Sequence, residues 1–146
     1  MKCTFFGHRN TSSEIMPKLC ETLTDLIENK NVDTFYVGNQ GNFDSSVKKA
    51  LKILKMSYPH IKYYVVLAYM PNINQNPREC YIDYSESIYP ECLEFVPKRF
   101  AISHRNKWLV NNCDFVVTCV SRSFGGAAKF KNMAVKNGKT VIELNE

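Results

Sequence analysis

The sequence predicts an α/β fold, a three-layer α/β/α architecture around a mainly parallel sheet of about five strands. Three observations carry that expectation. Short runs rich in β-branched and aromatic residues alternate with stretches whose apolar residues recur at helical spacing. Two of the runs, YYVVLA at Tyr63–Ala68 and FVVTCV at Phe115–Val120, lack the in-out alternation of a half-exposed strand, which suggests burial on both faces. Three strand-like runs also end in polar, glycine-bearing turns that lead into helices, the order of βαβ units.

Cys3–Phe6 is the first strand and stops at Gly7-His8-Arg9. A cluster of N-cap residue types follows, Asn10 to Glu14, in which Thr11 and Glu14 fit a capping box. Pro17 moves the helix start to Ser13, because proline is tolerated only near a first turn. Ile15, Leu19, Leu23, Leu26 and Ile27 form that helix's apolar face. Thr34–Val37 is the second strand and ends at Gly38-Asn39-Gln40-Gly41. The next helix carries Phe43, Val47, Ala50, Leu51 and Leu54 on one face and lysines on the other. After the third strand, Met70 to Pro97 contains four prolines and reads as a long structured loop with room for a short helix or strand. Connections of that length in a compact domain are usually functional or mobile. A helix from about Pro97 to Asn112 begins on proline. The fourth strand ends in Ser121-Arg122-Ser123-Phe124-Gly125-Gly126, a helix runs to about Asn137 with Gly138 as its C′ residue, and Thr140–Leu144 is the fifth strand.

At 146 residues the whole chain, 1–146, is expected to form one domain. With 45% hydrophobic residues and no apolar run near the roughly 20 residues of a membrane span, a disordered or membrane-spanning chain is disfavoured. The opening MKCTFFGHRN lacks the long apolar core of a secretory signal, so a cytoplasmic protein with reduced thiols is expected. The net charge of +5 comes from scattered lysines rather than a basic block, which makes nucleic acid an unlikely partner. The six cysteines form no CxxC pair and share no metal-type spacing with His8, His60 and His104, so no metal and no cofactor is expected.

Right-handed crossovers place the first strand centrally, and ligands bind at carboxyl ends of strands where the winding reverses. Gly7-His8-Arg9 and Ser121 to Gly126 then flank one crevice, with Gly38 to Gly41 at its side. Glycine lets backbone N–H groups approach a ligand, and helix N-termini favour anions. Arg9 and Arg122 suit bidentate contact with phosphate. Asp44, in the first turn of the second helix, fits either the helix dipole or a ribose hydroxyl. His8 reads as a turn residue or ligand contact before a base, and Trp108 as core or interface. Arg105-Asn106 lies on the helix before the fourth strand. GxGxxG, GxxxxGK[ST], GxSxG and the acidic receiver pattern are all absent, against the common dehydrogenase, NTPase, hydrolase and receiver readings.

Four stretches together, TFFGHR at Thr4–Arg9, VGNQGNFD at Val37–Asp44, FAISHRNKW at Phe100–Trp108 and GGAAK at Gly125–Lys129, resemble the SLOG superfamily across nearly the whole chain. The nearest likeness is to the small YpsA-like proteins of Gram-positive bacteria and their phages. The resemblance implies a Rossmann-like fold that binds nucleotides or nucleotide-derived ligands, and a homodimer. Lonely Guy phosphoribohydrolases, Smf/DprA proteins and antiviral nucleotide sensors share that superfamily. Arg105 matches a catalytic arginine of the Lonely Guy enzymes, but their glutamate falls near Lys131 or Asn132, so the acid is missing.

The loops alone suit a phosphate- or carboxylate-bearing small molecule, and what the resemblance adds is a binding module for a nucleotide-derived one, phosphate- or ADP-ribose-like, acting as sensor or sink. Its ligand-binding candidates are Gly7, His8, Arg9, Gly38, Asn39, Gln40, Asp44, Arg105, Asn106, Ser121, Arg122, Gly125 and Gly126. An alternative is a nucleotide N-glycosidase with Asp44 and Arg105 as catalytic candidates, or with Glu86 or Glu91 supplying the carboxylate. A DNA-processing-associated protein is the second alternative. The long Met70–Pro97 segment is the expected carrier of specificity.

Overall fold

Side chains alternate across a strand, and here that alternation decides which helices cover which side of the sheet. The computed structural model describes residues 1–8, 11–38, 41–68, 87–90, 93, 95–120 and 126–144. The strands are β1 (Lys2–Gly7), β2 (Thr34–Val37), β3 (Lys62–Val66), β4 (Ser87–Ile88), β5 (Phe115–Cys119) and β6 (Thr140–Glu143). The helices are α1 (Met16–Asn29), α2 (Gly41–Ser57), α3 (Ala101–Asn112) and α4 (Gly126–Lys136). Single 3-10 turns, Ser13–Ile15 and Lys98–Phe100, lead into α1 and α3. Every strand pairing is parallel, in the order β4-β3-β2-β1-β5-β6. The winding reverses between β1 and β5, so β1 sits inside the sheet as expected.

Among the described residues the sheet has six strands, against an expected number of about five. The added strand, Ser87–Ile88, lies within the segment read as a long loop and pairs through Val65↔Ser87 and Val66↔Ile88. Two residues are too short to show a period, so only the pairing itself reveals it.

Cys3, Phe5, Phe35, Val37, Val117 and Cys119 pack with Leu19, Leu23, Leu26 and Ile27 of α1 and Phe43, Val47, Ala50 and Leu51 of α2. Their strand neighbours Phe6, Tyr36, Val66 and Val116 pack instead with Leu109 and Val110 of α3 and Phe130 and Ala134 of α4. Apolar residues at successive positions therefore fill two cores, one on each face, which is why the strands read as unbroken apolar runs. Phe5 stacks on Phe35 on one side and Phe6 on Phe130 on the other.

The expected capping box takes a different form. Thr11 Oγ1 donates to the His8 carbonyl at 2.7 Å, and Ser12 Oγ accepts the Glu14 N–H at 3.2 Å. A 3-10 turn precedes α1, whose N-cap residue is Ile15 with no side-chain cap, so Ser12 meets an N–H of that turn rather than of the α-helix, and Pro17 falls in the first turn of α1, where its missing N–H costs nothing. Gly138 ends α4 with φ of 75°, the left-handed C′ geometry. No helix among the described residues is long and apolar enough to cross a membrane.

Cys3, Cys20, Cys113 and Cys119 form no disulfide among the described residues. Burial, reinforced by the neighbouring Asp114, pushes the Cys113 thiol from 9.0 up to about 12. A group whose folded pKa is raised contributes stability that is complete below its unfolded pKa and is lost as pH rises toward the folded one. Urea unfolding should therefore show stability falling on the order of 2 kcal/mol more between pH 9 and 11 in the parent chain than in Cys113→Ala. Equal slopes in the two proteins would remove Cys113 from the alkaline transition.

Candidate functional site

The carboxyl edge of the sheet is built around two glycines that lack a side chain for reasons internal to the fold. At Gly7, the last residue of β1, an added Cβ would stand 2.3 Å from the Phe43 ring. Phe43 is the third residue of α2 and almost fully buried, so its ring closes over the end of β1. The first-strand glycine is thus required by packing between α2 and the sheet.

Gly38, one residue beyond β2, holds the charged part of the site. An added Cβ there would meet Asp44 Oδ2 at 2.7 Å and Arg105 Nη1 at 3.2 Å. The two side chains come from opposite layers: Asp44 from the first turn of α2, Arg105 from the second turn of α3. They converge over a strand end that carries no side chain. Both are buried, Asp44 at 8% and Arg105 at 3% exposure. Arg105 Nη1 donates to the Val66 carbonyl at the end of β3 at 3.4 Å, and its Nε donates to Asn106 Oδ1 at 3.1 Å. A guanidinium can be buried only when its donors are met, and these acceptors meet it from β3 and from its own helix.

The expectation that Arg105 and Asn106 sit on the helix before the strand that follows the winding reversal holds. Arg105, however, is not a solvated helix charge but the buried cation of the edge. Asp44 lies in the first turn of α2, as read, and belongs to the same cluster. His8 is half-buried, and its carbonyl accepts both the Thr11 hydroxyl and the Thr11 N–H, so its backbone shapes the turn after β1. Gly126 opens α4 with no atom within 4 Å of an added Cβ, so packing does not explain that glycine. Trp108 packs its ring 5.3 Å from Tyr36 against the second core, as expected. Arg9, Asn39, Gln40, Ser121, Arg122, Gly125, Glu86 and Glu91 lie outside the described residues, as does most of Met70–Pro97.

Two features of the edge had no reading from the sequence. The Val66 carbonyl is a backbone acceptor and leaves no residue signature. Thr118, on β5 beside the winding reversal, has a fully buried hydroxyl with no hydrogen-bond partner among the described residues. Within FVVTC it passes as one more β-branched strand residue. Among the described residues no group of His, Cys, Asp and Glu is arranged to hold a metal.

The glycines separate by substitution. Gly38→Ala should cost about 1–3 kcal/mol in urea unfolding, because Asp44 and Arg105 must give way. Gly126→Ala should stay within about 0.5 kcal/mol of the parent. The reverse ranking would show that Gly38 is not shaped by the two charged side chains.

No protein-family model matches the chain, and no curated protein matches it. Among solved structures, the chain is similar to DNA processing protein A (DprA) from Streptococcus pneumoniae, at 16% sequence identity and a TM-score of 0.66. The likeness covers 97% of this chain and 49% of that one, so the chain spans about half the length of the protein it resembles. Likeness at this identity speaks for the fold. The chain has the Rossmann-like α/β fold seen in DprA, which is the fold that the SLOG resemblance implied.

Proposed function

We propose that the carboxyl edge of the sheet binds a nucleotide-derived small molecule, bearing phosphate or an ADP-ribose-like group, as a sensor or sink. The observation that carries this reading is the convergence of Asp44 and Arg105 on Gly38, beside the strand ends where winding reverses. Doubly wound sheets bind ligands at that place. A carboxylate accepts ribose hydroxyls and a guanidinium donates to phosphate oxygens, and the low local dielectric strengthens both. Gly126 starts α4, where among the described residues no atom lies within 4 Å of an added Cβ, and a helix N-terminus favours an anion.

Binding is proposed without turnover. The positions where the resemblance would set a catalytic glutamate are Lys131 and Asn132. Lys131 pairs with Glu143 of β6, and Asn132 is exposed on α4. Neither brings a carboxylate to Gly38. The finer likeness to YpsA-like proteins belongs to this proposal, and so does the DNA in the name of the structural neighbour, which enters as a competing ligand class.

Isothermal titration against nucleoside mono- and diphosphates, ADP-ribose and a DNA oligonucleotide tests the reading. At least one nucleotide or ADP-ribose should bind, and Asp44→Asn and Arg105→Lys should each weaken it about ten- to a hundredfold while melting cooperatively. No binding across the small-molecule panel, or binding of DNA alone, would overturn it.

A further inference from the structure

The two layers that cover the sheet differ in charge. Residues 95–142 hold nine Lys or Arg and a single acid, Asp114, whereas residues 1–94 hold ten Lys or Arg and eleven acids. Asp114 stands at the amino edge of the sheet, where its carboxylate accepts the Lys2 N–H. Neither α3 nor α4 contains an Asp or Glu. Basic residues that look scattered along the chain are thus collected over one face of the sheet. On the other face the signs are mixed, with Glu21, Asp25 and Glu28 exposed on α1 and Lys49 and Lys52 exposed on α2.

α3 and α4 pack against each other over the second core, and each returns to the start of a parallel strand, so they run in the same direction. Phe100, His104, Lys107 and Asn111 are exposed at steps of four, three and four residues. Lys129, Asn132 and Lys136 are exposed on α4 at steps of three and four. Each set is one outward helical stripe, and packed helices stand about 10 Å apart, so the two stripes form a broad face rather than a single track. In the turn leading into α3, Lys98 and Arg99 are exposed, and the Arg99 guanidinium lies 4.8 Å from the centre of the Phe100 ring. Phe95, just before that turn, is 92% exposed and Phe100 46%.

We propose that the α3/α4 layer docks on an anionic lipid surface, with Phe95 and Phe100 entering the interface and Arg99, Lys107, Lys129 and Lys136 facing the headgroups. Each cation held at such a surface strengthens binding about fivefold, so four acting together supply on the order of several hundredfold. A polynucleotide would attract the same cations, but a base stacks on a ring whose other face is packed on the protein, and Phe95 has almost no packed face. A ring standing clear among cations is instead taken up by the headgroup and acyl boundary of a bilayer. A single acidic segment of a protein would cover one stripe and leave the other, whereas a plane of charge meets both.

Co-sedimentation of the full chain with vesicles decides the matter. Vesicles of phosphatidylcholine with about one-third phosphatidylserine should bind the chain at least tenfold more tightly than phosphatidylcholine alone, and about 0.5 M sodium chloride should remove that preference. Lys107→Glu with Lys129→Glu and Lys136→Glu should lose at least tenfold in affinity for the anionic vesicles. Phe95→Ser, which keeps every charge, should weaken binding severalfold with an unchanged melting temperature. Lys49→Glu with Lys52→Glu, on the other face, should bind as the parent does. Equal binding to the two vesicle types, indifference to the α3/α4 reversals or to Phe95→Ser, or a face that binds a single-stranded oligonucleotide and no vesicle would each overturn the proposal.

Discussion

A guanidinium taken out of water must have its donors met, or it costs several kcal/mol in an apolar surrounding, of order ~3 or more. Arg105 is buried on α3, and the arrangement at the carboxyl edge follows from satisfying it. The Val66 carbonyl must stand free at the end of β3, and Asn106 must turn its amide oxygen back along the helix. Gly38 must carry no side chain, so that Asp44 can reach the same place from the opposite layer. A strand end, two helices from two layers and one glycine are thereby tied to a single cation.

The same geometry explains why the edge suits a polar ligand. The sheet is covered on both faces by apolar cores, and polar groups accumulate where the strands stop. Phe43 seals the end of β1 over Gly7, and the charged cluster stands one strand away over Gly38. At Gly126, at the head of α4, no atom of the described residues lies within 4 Å of an added Cβ. One glycine admits a ring, one admits two charges, and one meets no described atom, although all three occur in similar strand-to-helix turns.

Much of the fold was legible because period-two and helical patterns reflect burial directly. YYVVLA and FVVTCV read as doubly covered strands, and the structure buries Val65 and Val66, and Val116 to Cys119, on alternating faces. Ser87–Ile88 was not legible as a strand, since its only evidence is pairing with Val65 and Val66. The capping box at Thr11 did not form because a 3-10 turn precedes α1, so that Ser12 meets the turn and α1 starts at Ile15 without a side-chain cap, a choice that residue types alone do not encode. At the site, Asp44 and Arg105 were named from their positions, but 61 residues separate them in sequence. Their meeting, the carbonyl of Val66 and the buried hydroxyl of Thr118 depend on which layer each element joins.

The central claim is that Asp44 and Arg105 act as one unit across the end of β2. A double-mutant cycle of Asp44→Asn and Arg105→Gln, read by urea unfolding, tests it most directly. The account predicts that each single change costs about 2–4 kcal/mol and that the double change costs clearly less than their sum, with a coupling of at least about 1 kcal/mol. Additive costs, with coupling indistinguishable from zero, would contradict it.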